Sequence, residues 1–154
     1  MTKFDMIIRG GTVVTASDTI RCDVGIKDEK IIALGEDLQD DTAKVIDAEG
    51  LLVMPGGVDS HVHIDQASGP GVVMADDFDT ATLSAMCGGN TTVIPFALQE
   101  KGQTLRSAVE DYHKKAEGKS WIDHSFHIII SDPTPSALGQ ELPALVEDGY
   151  TSFK

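Results

Sequence analysis

The chain has 154 residues, and 12 Lys+Arg against 25 Asp+Glu give a formal net charge of −13. A composition of 41% hydrophobic and 24% charged residues is that of a folded globular protein and argues against disorder, while the acidic excess makes nucleic acid and anionic membrane poor partners. No apolar run approaches the roughly 20 residues of a membrane span, Met1-Thr2-Lys3-Phe4-Asp5 lacks the apolar stretch of a signal peptide, and two cysteines, Cys22 and Cys87, make no disulfide framework, so a cytoplasmic location is expected.

Residues 1 to about 50 read as short strands and tight turns. Phe4–Ile8 is an apolar-rich strand running into Gly10-Gly11, and Thr12–Thr15 resumes extended structure with β-branched residues. Asp23–Ile26 and Lys30–Leu34 flank Lys27-Asp28-Glu29, a hairpin connection. Lys44–Asp47 is a further strand, closed by Glu49-Gly50. No helical period occurs here, and the segment predicts one part of a β-sandwich, too short to bury much core alone.

The pattern changes after Gly50. Leu51-Leu52-Val53-Met54 is a continuous apolar run, expected of a strand covered on both faces. Pro55-Gly56-Gly57 interrupts it, and Val58–Asp65 follows. Asp76 is the expected N-cap of a helix whose stripe is Phe78, Ala81, Thr82, Ala85 and Met86, with Gly88-Gly89 ending it. Thr91–Phe96 is the next strand, with Pro95 near its end, where a lost donor costs least. Leu105, Ala108, Val109, Tyr112 and Ala116 form a second helical stripe before Gly118. His127–Ile130 is a third strand. Leu138, Leu142, Leu145 and Val146 mark a third helix, with Pro135 suited to its first turn and Pro143 a kink or restart. Tyr150–Lys154 reads as a fourth strand. The alternation predicts a parallel sheet with right-handed crossovers, either half of an eight-stranded barrel or an open doubly wound sheet. The expected domains are residues 1–52 and 53–154. The strand around Val58 lacks a glycine-rich phosphate fingerprint after it, which disfavours nucleotide binding.

His61 and His63 carry the sharpest chemical signal. Positions i and i+2 of a strand share a face, roughly 6.5–7 Å apart along the backbone, so two imidazoles can converge on one metal. They fall at the C-terminal end of their strand, where barrel active sites lie; a hydrogen-bonded histidine pair is the competing reading. Asp65 and Asp59 lie on the same face, Asp65 as an orienting or loop-capping carboxylate and Asp59 as a support behind the pair. Lys154 at a strand end reads as a surface charge, unless burial favours its neutral amine. A neutral amine takes up carbon dioxide to give an anionic carbamate able to bridge two cations. His113, His124 and His127 read as solvated or core histidines, and Cys87 as packed at a helix end. Asp76, Asp77 and Asp79 read as helix N-terminal acids.

Taken in order, Asp47-Ala48-Glu49-Gly50-Leu51-Leu52-Val53-Met54-Pro55-Gly56-Gly57-Val58-Asp59-Ser60-His61-Val62-His63, Ala75-Asp76-Asp77-Phe78, Gly88-Gly89-Asn90-Thr91-Thr92 and Thr151-Ser152-Phe153-Lys154 resemble the opening of the amidohydrolase superfamily barrel. The similarity is greatest to the hydantoinase/dihydropyrimidinase branch and extends over essentially the whole chain. The resemblance implies an α/β architecture: a (β/α)8 TIM-type barrel, its first half present here, joined to a β-sandwich built from both chain ends. It implies two divalent metal ions, usually zinc, with His61 and His63 on the more buried one and a carbamate on Lys154 bridging both. The remaining ligands, two histidines and an aspartate, and a substrate-binding tyrosine have no counterpart here. The chain is therefore expected to be the N-terminal portion of a longer protein, inactive and unstable as an isolated piece. The implied reaction is hydrolysis of a cyclic ureide or imide by a metal-bridging hydroxide, opening a hydantoin or dihydropyrimidine ring to an N-carbamoyl amino acid. Allantoinase or dihydroorotase chemistry, or a non-catalytic dihydropyrimidinase-related scaffold, are the alternatives, and a homo-oligomer, dimer or tetramer, is implied. Gln66 and the loop Ala67-Ser68-Gly69-Pro70-Gly71 replace a more apolar stretch, and Pro95 stands where many relatives carry an acid. Both departures lie near the expected substrate mouth.

Overall fold

In the computed structural model, which describes residues 4–154, the run after Asp5 forms strand β1 (Met6–Arg9); the opening Met1-Thr2-Lys3 lies outside the described residues. Six more strands follow: β2 (Thr12–Val14), β3 (Thr19–Arg21), β4 (Asp23–Lys27), β5 (Lys30–Gly35), β6 (Lys44–Asp47) and β7 (Leu52–Val53). They form two sheets, of order β5-β4-β1-β6 and β3-β2-β7. The β4–β5 hairpin turns through Asp28 and Glu29, both at positive φ (48° and 61°), as the mirror-image two-residue turn demands. Val13, Cys22 and Val24 are buried together with Ile8, Ile26 and Val53 around them, so the two sheets share one small core. The buried Asp23 carboxylate is satisfied by Gly10 N–H (2.8 Å) and Leu38 N–H (3.0 Å).

The apolar run Leu51–Met54 behaves differently from the expectation of a doubly covered strand. Only Leu52–Val53 is extended, paired parallel with β2 at a sheet edge, and Leu51, Leu52 and Met54 are exposed. An apolar run shows affinity for a strand but not how many of its faces find cover. The chain parts into two compact units at this point, Met1–Pro55 and Gly56–Lys154, three residues beyond the expected boundary.

The second unit is built from β8 (Gly57–Val62), α1 (Phe78–Cys87), β9 (Asn90–Leu98), α2 (Leu105–Ala116), β10 (Asp123–His124), β11 (His127–Ile129) and α3 (Leu142–Glu147). Strand β9 is central, with β8 along one side and β10 then β11 along the other, all parallel to it. The terminal segment continues this order, since Phe153 bridges Ile128 in parallel register. Gly56 and Gly57 permit the close start of the β8–β9 pair: a Cβ on Gly56 would lie 2.1 Å from Thr91 Cγ2, and one on Gly57 2.4 Å from Asn90 Oδ1.

Pro95 sits inside β9 rather than near its end, with three residues of strand beyond it. The sheet accommodates the missing N–H by interrupting its ladders there. Strand β10 pairs only as far as Val93, β11 begins at Phe96, and the β8 register shifts between Asp59 and Val62.

Helix α1 is capped by Asp77, not Asp76, whose carboxylate accepts the Thr80 hydroxyl instead (3.0 Å). The Asp77 side chain accepts from the N–H groups of Asp79 and Thr80, both at 3.1 Å, and Gly89 ends the helix at φ +90°. Phe78 and Thr82 bury as expected while Met86 is exposed; Cys87, also exposed, closes the helix. Helix α2 buries Leu105, Ala108, Val109, Tyr112 and Ala116, the stripe its periodicity predicts, behind a Thr104 cap. The third helix is divided: a π-helical turn (Ala137–Glu141) precedes α3, whose first turn holds Pro143. Ile64, Phe78, Val93, Ala97, Phe126, Ile128 and Leu145 complete the core between sheet and helices. Among the described residues the sheets do not close into a barrel, and no helix is long and apolar enough to cross a membrane.

Candidate metal centre

His61 and His63 leave β8 side by side, with ring centroids 5.7 Å apart. Both rest on Phe96, buried on the neighbouring β9: His63 stacks on its ring and His61 meets it edge-on, each at 4.8 Å between centroids. The Lys154 Nζ lies 5.0 Å from the centre of the same ring, within cation–π range. Phe96 is thus an apolar floor on which three side chains converge from β8 and from the terminal segment. The parallel order of the sheet is the cause, since it places the C-terminal ends of β8, β9 and the terminal segment at one edge.

A cavity of about 330 Å³ opens at this edge, lined by Ser60, His61, Phe96, His127, Ser152, Phe153 and Lys154. His63 lies outside that lining, held by a hydrogen bond from its Nδ1 to Gln66 Oε1. An amide oxygen only accepts, so Nδ1 carries the proton and the Nε2 lone pair stays free to ligate. Asp59 Oδ1 accepts the His61 backbone N–H (3.1 Å), bracing the strand immediately before that histidine. Asp65 turns elsewhere. It takes a positive φ of 45°, and Lys115 of α2 donates to its carbonyl (2.5 Å) with the carboxylate 3.6 Å away. It therefore anchors the loop to the helix and does not join the two imidazoles.

The donors fit a divalent metal by their chemistry: two imidazoles on one side of an apolar floor, one with its ligating nitrogen freed by a fixed tautomer, beside an amine that can become a carbamate. Among the described residues no group of three or more His, Cys, Asp or Glu could hold a metal ion. Lys154 is exposed.

Sequence reasoning missed Phe96 and His127. Phe96 read only as the end of a strand and His127 as a solvated or core histidine, and their part in the site comes from long-range pairing that periodicity does not carry. The two other histidines lie apart from the site: His113 of α2 bonds Tyr150 Oη through Nε2 (2.6 Å), and His124 of β10 packs against Phe78 and Phe126.

The sequence profile described as "Amidohydrolase family" matches residues 44–122. The chain is 47% identical to D-hydantoinase of Geobacillus stearothermophilus, an alignment covering 100% of this chain and 32% of that protein. It is 46% identical to D-hydantoinase of Streptomyces coelicolor, over 96% of this chain and 32% of that one. The crystal structure of dihydropyrimidinase from Brevibacillus agri superposes with a TM-score of 0.91 at 47% identity, covering 96% of this chain and 32% of that chain. The chain spans about a third of the length of the curated relatives it matches.

Proposed function

The chain belongs to the amidohydrolase family, and from that premise we propose that it supplies the first half of a (β/α)8 barrel to an enzyme that hydrolyses a cyclic ureide. The hydantoin and dihydropyrimidine rings in the names of its relatives give the substrate class. The observation that carries the reading is the convergence of His61, His63 and Lys154 on Phe96 at the C-terminal edge of a parallel sheet.

In the reaction, water adds to a ring carbonyl, the ring C–N bond breaks, and the departing nitrogen takes a proton, giving an N-carbamoyl amino acid. Two divalent ions, zinc by family resemblance, supply water activation and carbonyl polarisation when bound. His61 and His63 would hold one ion through their free ring nitrogens. The Lys154 amine would form a bond to carbon dioxide and release a proton, giving a two-oxygen anion shared between both ions. Gln66 keeps His63 in the ligating tautomer, Asp59 braces the His61 backbone, and Phe96 excludes water from beneath the imidazoles.

Metal analysis and a ring-opening assay on the intact protein test this. Two ions per chain are expected, with hydantoin or dihydropyrimidine opening lost on chelation and restored by zinc. Full activity in chelator-stripped protein overturns the reading.

A further inference from the structure

The geometry points to His127 as a positioning residue that fixes the strand carrying His61 relative to the segment carrying Lys154; the inference rests on the hydrolase reading above. His127 opens β11 and reaches in two directions. Its Nε2 donates to the Ser60 carbonyl at 2.7 Å, one residue before His61. Its Nδ1 accepts from Ser152 Oγ, two residues before Lys154 and on the same face of an extended segment. The ring itself lies 5.0 Å from Phe96, centroid to centroid.

Strand β8 and the terminal segment are not neighbours in the sheet. Between them lie β9 and β11, and the ladders of β9 are interrupted at Pro95, close to the site. Backbone pairing therefore transmits the position of one ligand to the other through a broken relay. The neutral imidazole, a rigid ring with one donor and one acceptor on opposite sides, bridges the gap directly. A carbamate on Lys154 and the imidazoles of β8 would have to hold ions at one site, which needs their separation fixed to within a few tenths of an ångström, and a cross-sheet strut of this kind would fix it.

The experiment compares the intact wild-type protein with His127→Phe, His127→Gln and Ser152→Ala. The readouts are the ¹³C NMR signal of the lysine carbamate after equilibration with labelled bicarbonate, zinc affinity by chelator competition, and thermal stability. His127→Phe keeps the contact with Phe96 but loses both hydrogen bonds, so the carbamate signal should fall and zinc affinity drop about 10–100-fold. His127→Gln, which retains a donor and an acceptor, should recover most of both. Ser152→Ala removes one arm alone and should give a smaller loss in the same direction, which decides the matter if His127→Phe does not fold. Wild-type carbamate occupancy and zinc affinity in His127→Phe, or in Ser152→Ala where that variant decides, overturns the positioning role. Equal losses in His127→Phe and His127→Gln also overturn it. A wild-type protein with neither carbamate nor bound zinc overturns the hydrolase reading itself.

Discussion

His63 donates its Nδ1 proton to Gln66, and that single contact selects which ring nitrogen keeps a free lone pair. In Gln66→Met the acceptor is gone while the volume is nearly kept, so the ring samples both tautomers and more than one orientation. Zinc affinity of the intact protein should fall about tenfold or more, read by chelator competition, with little change in thermal stability. An unchanged affinity would show that His63 is oriented by packing on Phe96 alone. His124 offers a second residue-scale test. Burial first, and then the charge of His113, hold its pKa below the ordinary 6.5, with Asp123 opposing. The unfolded chain then takes up the proton at higher pH than the folded one. The stabilisation is complete above pH 6.5 and is lost as pH falls through the lower folded value. His124→Phe should flatten the acid side of a melting-temperature profile between about pH 5 and 7; an unaltered slope would assign the acid sensitivity elsewhere. His61 and His63 were legible as a pair because an i, i+2 spacing fixes a shared face. Phe96 and His127 were not, because what makes them part of the site is which strand pairs with which.

At the scale of elements, the start of β8 is where sequence, turn and packing meet most tightly. Gly56 faces Thr91 so closely that an added methyl has no room unless a backbone gives way. Gly56→Ala should lower the stability of the intact protein by about 1–3 kcal/mol in urea denaturation. It should also weaken zinc binding, since the β8–β9 register carries His61 over Phe96; full stability in the variant would show that the two strands can separate freely there. The helices show why some elements could be read and others only in part. All five predicted stripe residues of α2 bury, because a 3.6-residue period states its own buried face. Helix α1 shifts its cap by one residue to Asp77, since two adjacent aspartates compete for the same N–H groups. That β9 runs on past Pro95, and that the turn before α3 is π-helical, could not be read from the pattern, because both are settled by neighbouring strands and helices rather than by the local chain.

For the whole chain, the decisive balance is between exposed apolar edges and net charge. Edge strand β5 leaves Ile31, Ile32 and Leu34 exposed, β6 leaves Val45 and Ile46, and β8 leaves Val58, each with unpaired backbone groups alongside. Closure into a barrel or completion of a sandwich removes such edges; among the described residues neither occurs. The charge of −13 opposes self-association at low salt. Its reach shrinks to about 8 Å at physiological ionic strength, whereas edge pairing and apolar burial act at contact and gain nothing from dilution of the field. The isolated 154-residue polypeptide should therefore stay dispersed only at low salt, associate as salt rises, and show no ring-opening activity with zinc present. Light scattering across a salt series, beside the ring-opening assay, checks both halves. A monodisperse species at physiological salt that unfolds in one cooperative step would mean that the two units cover their own edges, and that the rest of a full-length relative contributes chemistry rather than stability.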